Sequence, residues 1–322
     1  MALILYKPEP SILKKIKLCN LVSSALAEIG WPTRRVINNK LSQTILKVNT
    51  KNFHTYCCLY NYLQGETISW ESYSKKHLKL LGQVLGYLHH DLRELDKKQQ
   101  IIASKECLNL TDKLNEMHNY FMQDSIKNAV EQKLKLVVDP TVIPKFTKLL
   151  HKLNSTLPSQ LLHLDFVRGN ILFKKLPKCQ FEQKFCIFDK KDDSHSLCIT
   201  GVLDFEKVAL GPLELDLART LAFLLVDCKY KQPEKIIKFF LLSGYIKKAK
   251  QPPPSLTIIK QLILMYLLID FYQFLKHNPY ESLFANEHFV KTRDMLLAIN
   301  LRGKPLSGFA ERQNLLPYTL GY

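Results

Sequence analysis

Three side chains with oxygen donors stand on two short segments whose spacing suits one kind of chemistry. Asp165 and Asn170 are five residues apart on a loop that leads into an apolar strand, and Asp204 directly follows a second apolar strand. Phosphoryl transfer to a hydroxyl needs a carboxylate that orients the acceptor and takes its proton. It also needs a hard divalent cation, which Asp and Asn oxygens bind. Two neighbouring strands would bring these three side chains to one rim.

Two groups of predicted elements must position these residues. The first part of the chain predicts a strand, a helix and an antiparallel pair of strands joined by a turn at Lys51–Asn52. They are expected at 1–6, 11–29, 44–48 and 56–63. A break follows at 64–66, and then apolar stripes predict helices with a small insert of strands. The helices are expected at 75–90, 114–135, 144–153, 215–226, 256–275 and 287–299, and the strands at 161–164, 171–173, 185–188 and 199–203.

This order of elements indicates an α+β fold with two unequal lobes. Residues 1–64 are expected to form a small, β-rich lobe, which we call the N-lobe. Residues 65–322 are expected to form a large, mostly helical C-lobe that carries the catalytic and metal-binding loops.

Three motifs in the C-lobe occur in a fixed order. The first is His163-x-Asp165-x-x-x-x-Asn170, the second is Leu203-Asp-Phe-Glu206, and the third is Gly-Pro-x-x-x-Asp-Leu-Ala over 211–218. Each is weak alone, but together they resemble the motifs of the aminoglycoside phosphotransferase and choline kinase family. The resemblance covers most of the chain and implies a protein-kinase-like two-lobe fold.

The resemblance assigns a role to each motif residue. It implies that Asp165 is the catalytic base and that Asn170 and Asp204 are magnesium ligands. His163 belongs to the catalytic loop, where it would pack and form hydrogen bonds beneath the loop more readily than it would transfer a proton. Asp216 is expected to be a buried carboxylate that braces the loop through its amides.

Further residues are candidates for contacts with the ligands. Arg168 in the catalytic loop and Glu206 beside the metal motif are candidates for contact with phosphate or substrate. The segment Tyr60-Asn61-Tyr62-Leu63 resembles the hinge between the lobes, whose backbone meets the adenine. The implied cofactors are ATP (or GTP) and Mg²⁺, and the implied partners are a nucleoside triphosphate and a small hydroxyl-bearing substrate.

The N-lobe departs from the family pattern. The strand over 1–6 matches the strand whose lysine usually contacts the phosphates, but Ile4 stands near that position. The glutamate that usually pairs with this lysine is also missing, because the helix reads Leu18-Cys-Asn-Leu21 there. Both members of the pair are absent together, which avoids a lone buried charge.

Three explanations of this departure remain open. The start of the chain is misplaced or truncated, or ATP is held by the hinge and metal ions with help from Lys14, Lys15 or Lys17. The third is a catalytically weak or inactive kinase-like binding protein. The complete set of Asp165, Asn170 and Asp204 favours an active phosphotransferase.

The acceptor is expected to lie against the late helices, 256–275 and 287–299. Three acidic side chains there would suit a cationic acceptor: Asp227, Asp270 and Glu287. Three aromatic side chains of the same region are expected to pack in the core: Tyr266, Phe271 and Tyr272.

Composition narrows the partners. The formal charge of +17 comes from 46 basic residues, of which eight are arginine, and the lysines are scattered through the predicted helices. This pattern indicates a lysine-rich composition that attracts anions such as nucleoside triphosphates, with no nucleic-acid partner expected. The most apolar stretch, 256–275, contains charged residues and predicts a buried core helix, so no membrane association is expected.

The cysteines and one long insert complete the sequence predictions. The eight cysteines contain no C-x-x-C pair, and several lie in apolar runs typical of buried free thiols: Cys19, Cys57, Cys58, Cys107, Cys179, Cys186, Cys198 and Cys228. They favour a reducing compartment and a cytoplasmic location. Residues 174–198, longer than the family's usual hairpin, predict an elongated hairpin with a solvated tip at 190–194. The sequence leaves the oligomeric state open.

Overall fold

The structure is a computed structural model that describes residues 1–49, 54–69, 71–177, 183–188, 195–228, 231–252 and 254–300. The chain divides into two compact units. The first comprises Met1–Lys105, Ser159–Asp216 and Cys228–Pro253. The second comprises Glu106–Pro158, Leu217–Asp227 and the residues from Pro254 onward. The small sheet and all the motif residues up to Asp216 therefore belong to the first unit.

The first part of the chain forms a small sheet with one helix. Its elements are β1 (Ala2–Tyr6), α1 (Ile12–Glu28), β2 (Val36–Ile37), β3 (Leu46–Asn49) and β4 (His54–Tyr60). β4 pairs antiparallel with β1, β2 and β3, which confirms the predicted antiparallel pair. The predicted turn at Lys51–Asn52 lies outside the described residues. Apolar side chains of α1 pack with those of β1 and β4 because the helix repeats them on one face.

Five short strands carry the loops of interest. They are β5 (Gln160–Leu162), β6 (Ile171–Pro177), β7 (Cys186–Phe188), β8 (His195–Val202) and β9 (Ala209–Gly211). β5 pairs with β9, and β6, β8 and β7 form a three-stranded sheet with β8 in the middle. The elongated hairpin predicted over 174–198 is therefore incomplete as a description, because β7 adds a third strand. The predicted tip at 190–194 lies outside the described residues.

The remaining elements are helical. They are α2 (Lys75–Gln99), α3 (Glu106–Met122), α4 (Asp124–Leu134), α5 (Ile143–Thr156), α6 (Leu213–Asp227), α7 (Pro233–Ile237), a π-helical segment (Lys238–Tyr245), α8 (Leu256–His277), α9 (Tyr280–Leu283) and α10 (Glu287–Asn300). The single helix predicted over 114–135 is wrong, because Gln123 adopts an extended backbone that separates α3 from α4. The helix end predicted at His89–His90 is also wrong, since α2 continues with buried Leu92 and Leu95.

The apolar helix α8 packs inside the fold. It is the one helix in the described ranges that is long and apolar enough to cross a membrane, but 67% of its apolar window is buried. Tyr266, Phe271 and Tyr272 are at most 2% exposed. The prediction of a buried core helix with core aromatics is confirmed. Of the acidic residues predicted near the acceptor, Asp227 is buried, Asp270 is half-buried and Glu287 is exposed.

Two cysteines depart from the predicted free thiols. Cys186 and Cys198 face each other across β7 and β8 and form a disulfide. The prediction of free thiols is wrong for these two because strand pairing, which their spacing of 12 residues does not reveal, brings them together. Five other cysteines are buried free thiols, as predicted: Cys19, Cys57, Cys58, Cys107 and Cys228.

Gly65 joins the small sheet to the strands that carry the loops. Its φ of +143° lies in a region that side chains with a Cβ rarely adopt, and a Cβ there would approach the Thr200 hydroxyl at 2.4 Å. Glu66 next to it exchanges two backbone hydrogen bonds with Phe173 of β6, at 3.0 and 2.8 Å. The break predicted at 64–66 is therefore a close contact with β6 and β8.

Candidate phosphoryl-transfer site

The loop after β5 carries the predicted base. The backbone N–H of Asp165 donates to Nδ1 of His163 at 3.1 Å. Nε2 of His163 therefore carries the proton and donates to the Leu203 carbonyl at 3.1 Å. Burial lowers the pKa of this histidine, which outweighs the nearby carboxylates that raise it. His163 is thus a neutral, buried link between two loops rather than a group aimed at solvent.

Asn170 joins the same loop to the segment that follows β8. Its side-chain Nδ2 donates to the Asp165 backbone carbonyl at 3.0 Å and to Asp165 Oδ2 at 2.9 Å. Its backbone carbonyl accepts from the N–H of Leu203 at 2.8 Å. Asp204 comes next in the chain, so the structure brings Asp165, Asn170 and Asp204 together.

The donor set at this point fits a divalent cation. The amide nitrogen of Asn170 is used, which leaves its oxygen Oδ1 with no partner among the residues the structure describes. Asp204 Oδ1 accepts from the N–H of Glu206 at 3.2 Å, and Asp204 Oδ2 has no partner within the same ranges. Amide and carboxylate oxygens are the ligands that Mg²⁺ prefers. The described residues hold no cluster of three His, Cys, Asp or Glu side chains, so an Asn–Asp pair is the candidate.

The charge next to Asp204 favours a cation. Glu206 is exposed at the rim, yet partial desolvation and then the negative charge of Asp204 raise the pKa of its carboxyl. The backbone is strained at Asp204. Its φ of +59° lies in the left-handed region, which is unfavourable for residues other than glycine. Leu164, in the loop of the predicted base, also has a φ of +59°. Backbone strain is thus stored in both loops.

Asp216 lies beneath the loop of the predicted base. It is fully buried, and its carboxylate accepts from the backbone N–H groups of His163 at 2.9 Å and Leu164 at 3.1 Å. His89 donates to it from Nε2 at 3.1 Å and accepts from the Tyr245 hydroxyl at 2.8 Å. Burial alone would raise the pKa of Asp216, but these hydrogen bonds, first of all the one from His89, hold it below its usual value.

Lys207 is a site residue that the sequence analysis missed. Its Nζ lies 2.6 Å from Asp165 Oδ1, and its side chain is 52% exposed against 9% for that of Asp165. Both oxygens of Asp165 therefore have partners, a flexible lysine on one and Asn170 on the other. In the sequence, Lys207 directly follows the Asp-Phe-Glu motif. Its position alone does not indicate that it contacts Asp165.

Arg168 and the hinge lie around this centre. Arg168 Nη1 donates to the Ile68 carbonyl at 3.2 Å. Glu206 and Asp204 line a cavity of about 230 Å³ together with Tyr60. The backbone N–H and C=O groups of Tyr62 and Leu63 form no hydrogen bond with any described residue, which leaves them available to a ligand. Asn61 instead donates its N–H to the Arg35 carbonyl at 3.1 Å.

Neutral side chains occupy the place of the missing lysine and glutamate. Ile4 and Cys19 line the same cavity. The hydroxyls of Tyr6 and Tyr60 lie 2.7 Å apart, and Tyr60 donates to Asn20 Oδ1 at 2.7 Å. Burial raises the pKa of both tyrosines, and it raises the pKa of the Cys19 thiol to about 12. These groups stay neutral at physiological pH, so β1, β4 and α1 bring no ionised side chain to this network.

Comparison with known proteins places this architecture in a class. No protein-family model matches the sequence, and no curated protein matches it either. Many solved structures match the chain, among them three that superpose on nearly its whole length. An amicoumacin kinase in complex with AMP-PNP, Ca²⁺ and Ami has a TM-score of 0.61 at 13% identity over 94% of this chain and 82% of its own.

The other two are similar in extent. A microcompartment-associated aminopropanol kinase has a TM-score of 0.55 at 12% identity over 94% of this chain and 87% of its own. An aminoglycoside phosphotransferase from Alicyclobacillus acidocaldarius has a TM-score of 0.52 at 12% identity over 93% and 86%. The chain has the protein-kinase-like fold of these small-molecule kinases. The α+β fold class inferred from the order of elements, and the kinase-like fold implied by the three motifs, are therefore confirmed.

Proposed function

We propose that the protein is an ATP-dependent phosphotransferase that acts on a hydroxyl of a small molecule. The observation that carries the proposal is that Asn170 bonds to Asp165 through its side chain and to Leu203, the residue before Asp204, through its backbone carbonyl. The similar amicoumacin kinase is in complex with the nucleotide analogue AMP-PNP and with Ami, which supports a nucleotide and a small molecule as partners here.

Asp165 would orient the acceptor hydroxyl and take its proton. Its Oδ2 is held by Asn170, so its Oδ1 is the atom that would face the hydroxyl once the exposed Lys207 moves aside. A carboxylate fixed in this way provides general-base catalysis worth about 10²- to 10⁴-fold. Lys207, displaced by the acceptor, would remain close enough to place its positive charge beside the transferred phosphoryl group.

Asn170 Oδ1 and Asp204 would hold Mg²⁺. A divalent cation supplies neutralisation of the phosphate oxygens when bound. The chain's own residues define the rest: Tyr62 and Leu63 offer free backbone groups to the adenine, and Asp216 with His163 fixes the loop of the base. ATP or GTP would satisfy these contacts, since the hinge recognises the base through backbone groups.

Asp204→Asn is expected to weaken magnesium-dependent ATP binding. Losing a group that contacts the metal directly should lower metal affinity by more than the roughly 10- to 100-fold that follows from losing an outer-sphere partner. Titration calorimetry with ATP in the presence and absence of Mg²⁺ measures this. In EDTA, wild type and variant should bind ATP equally, because the lost interaction acts through the metal. Unchanged magnesium dependence in Asp204→Asn would remove Asp204 from the metal site.

Lys207→Ala is expected to lower kcat about tenfold with a small change in KM for ATP. A hydrogen bond to a charged group contributes about 1.5 to 3 kcal/mol, and half-exposure of Lys207 reduces this. Lys207→Arg should restore most of the rate because the cation is kept. A rise in kcat for Lys207→Ala would instead show that the lysine only blocks Asp165.

A second candidate function is nucleotide binding without turnover. It is favoured by the ion pair on Asp165 Oδ1 and by Ile4 in place of the strand lysine. It predicts ATP binding with no phosphorylated product from any acceptor. The complete base and metal set favours the enzyme.

The protein is proposed to act in the cytoplasm. Nucleoside triphosphates are present there, and thiols stay reduced in that compartment. The disulfide of Cys186 and Cys198 is the exception to the reduced thiols expected there. The proposed phosphotransferase would have an N-lobe of residues 1–64 and a C-lobe of residues 65–322.

A further inference from the structure

The cavity beside Asp204 is lined by more acidic than basic side chains. Its rim carries the carboxylates of Asp204 and Glu206, and Ile4 stands where a lysine is expected. A nucleotide would bring several more negative charges to this place. Of the described residues that line the cavity, Arg34 alone carries a positive charge.

The segment around Arg34 is held firmly by its neighbours. The Pro32 carbonyl accepts from the N–H of Val202 at 2.8 Å, at the end of the strand that leads to Asp204. The Thr33 hydroxyl donates to the Ser23 carbonyl of α1 at 2.7 Å. These bonds place Arg34 between α1 and the metal loop, so its position does not depend on a mobile loop.

Arg34 differs from its neighbour Arg35 in its bonding. The Arg35 guanidinium donates to the Ala27 carbonyl, and its backbone is bonded to Asn61 of the hinge. Arg34 is half-buried, and it forms no hydrogen bond or ion pair with any residue in the described ranges. A guanidinium whose donors are unused, beside a cavity with unpaired oxygens, is arranged to bind an added anion.

The lysines considered from the sequence do not meet this need. Lys14, Lys15 and Lys17 are exposed on α1, and none of them lines the cavity. Lys15 is also paired with Glu9 at 3.3 Å. Arg34 is therefore the better candidate in both position and availability.

We infer that Arg34 binds the phosphate groups of the nucleotide and replaces the missing strand lysine. The inference rests on the proposed function, since it assigns the cavity to the nucleotide's phosphates. It explains how the neutral network of Tyr6, Tyr60 and Asn20 can occupy the place of the ion pair. The positive charge that the family pattern places on the strand β1 is thus supplied by the segment between α1 and β2.

The test compares nucleotides with and without phosphates on Arg34→Ala. ATP and adenosine are titrated calorimetrically with Mg²⁺ against wild type, Arg34→Ala, Arg34→Lys and Arg35→Ala. We expect the Kd of ATP to rise about 10- to 100-fold in Arg34→Ala, the range for a hydrogen bond to a charged group. Adenosine should bind all four proteins within about twofold, which shows that the cavity is intact, and Arg34→Lys should recover part of the loss.

Three results would overturn the inference. Equal ATP binding by wild type and Arg34→Ala removes Arg34 and leaves the proposed function standing. An equal loss of ATP binding in Arg35→Ala shows that the segment acts through its structure rather than through the Arg34 charge. No ATP binding by wild type overturns the proposed function and this assignment together.

Discussion

Asp165→Ala is expected to lower kcat by about 10²- to 10⁴-fold while ATP binding stays near the wild-type value. The reason is that Asp165 is 6% exposed and its two oxygens are bound by Asn170 Nδ2 and Lys207 Nζ, neither of which is a proposed metal-binding atom. Its removal takes away the base and leaves Asn170 Oδ1 and Asp204 in place. Single-turnover transfer and titration calorimetry with Mg-ATP measure the two effects separately.

A matched control separates the role of the base from the loss of a charge. Asp112 is an exposed aspartate on α3 that forms no hydrogen bond or ion pair with any described residue, so Asp112→Ala should transfer phosphate at the wild-type rate. Asp165→Asn keeps the shape of the side chain but cannot accept the proton, and should be as slow as Asp165→Ala. Full activity in Asp165→Asn would show that another group is the base.

Asp216→Ala is expected to destabilise the fold by about 3 to 5 kcal/mol, the cost of removing one partner of a buried charged set. Two backbone N–H groups, of His163 and Leu164, and Nε2 of His89 would lose their acceptor inside the protein. The melting temperature should fall by about 10 °C. Transfer should also be lost, because this carboxylate holds the loop that carries Asp165.

The pH dependence follows from the lowered pKa of Asp216. A carboxylate whose folded-state pKa is lowered stabilises the fold at all pH values above its unfolded pKa of about 3.9. This contribution is lost as the pH falls below that value through the folded-state pKa. Wild type should therefore lose stability in acid, and the difference between wild type and Asp216→Ala should shrink below about pH 4.

Glu214 provides the matched control, two residues away in the first turn of α6. Burial raises the pKa of Glu214, the opposite direction to Asp216. Glu214→Gln replaces a carboxyl that burial disfavours in its charged form, so it should cost little stability. A melting temperature for Asp216→Asn as high as that for Glu214→Gln would contradict the bracing role of Asp216.

The sequence predicted the elements that local patterns determine. Runs of apolar and aromatic residues located β1 and β4, and the apolar stripe of α2 located its first four turns. The boundary between α3 and α4 was missed because residues 114–135 contain no glycine or proline to mark the break at Gln123. The disulfide of residues 186 and 198 was missed because strand register is a tertiary property.

The site shows the same division. The spacing of Asp165, Asn170 and Asp204 was visible in the sequence, since each follows or precedes a strand. Lys207 and Arg34 were not, because each reaches the site only through the packing of a loop against another element. His89 was taken as a helix end, although packing of α2 places it on Asp216. The motifs therefore located the proposed base and metal ligands, whereas only the structure showed that Lys207 and Arg34 lie near them.

Phosphoryl transfer itself is tested most directly by phosphorus NMR of the protein with Mg-ATP and a panel of hydroxyl compounds, including amino alcohols, sugars, aminoglycosides and homoserine. The proposed mechanism predicts a new phosphomonoester resonance with an equal amount of ADP, and neither product with Asp165→Ala. A wild-type protein that binds ATP but forms no phosphomonoester, or an Asp165→Ala protein that forms it at the same rate, would contradict the mechanism.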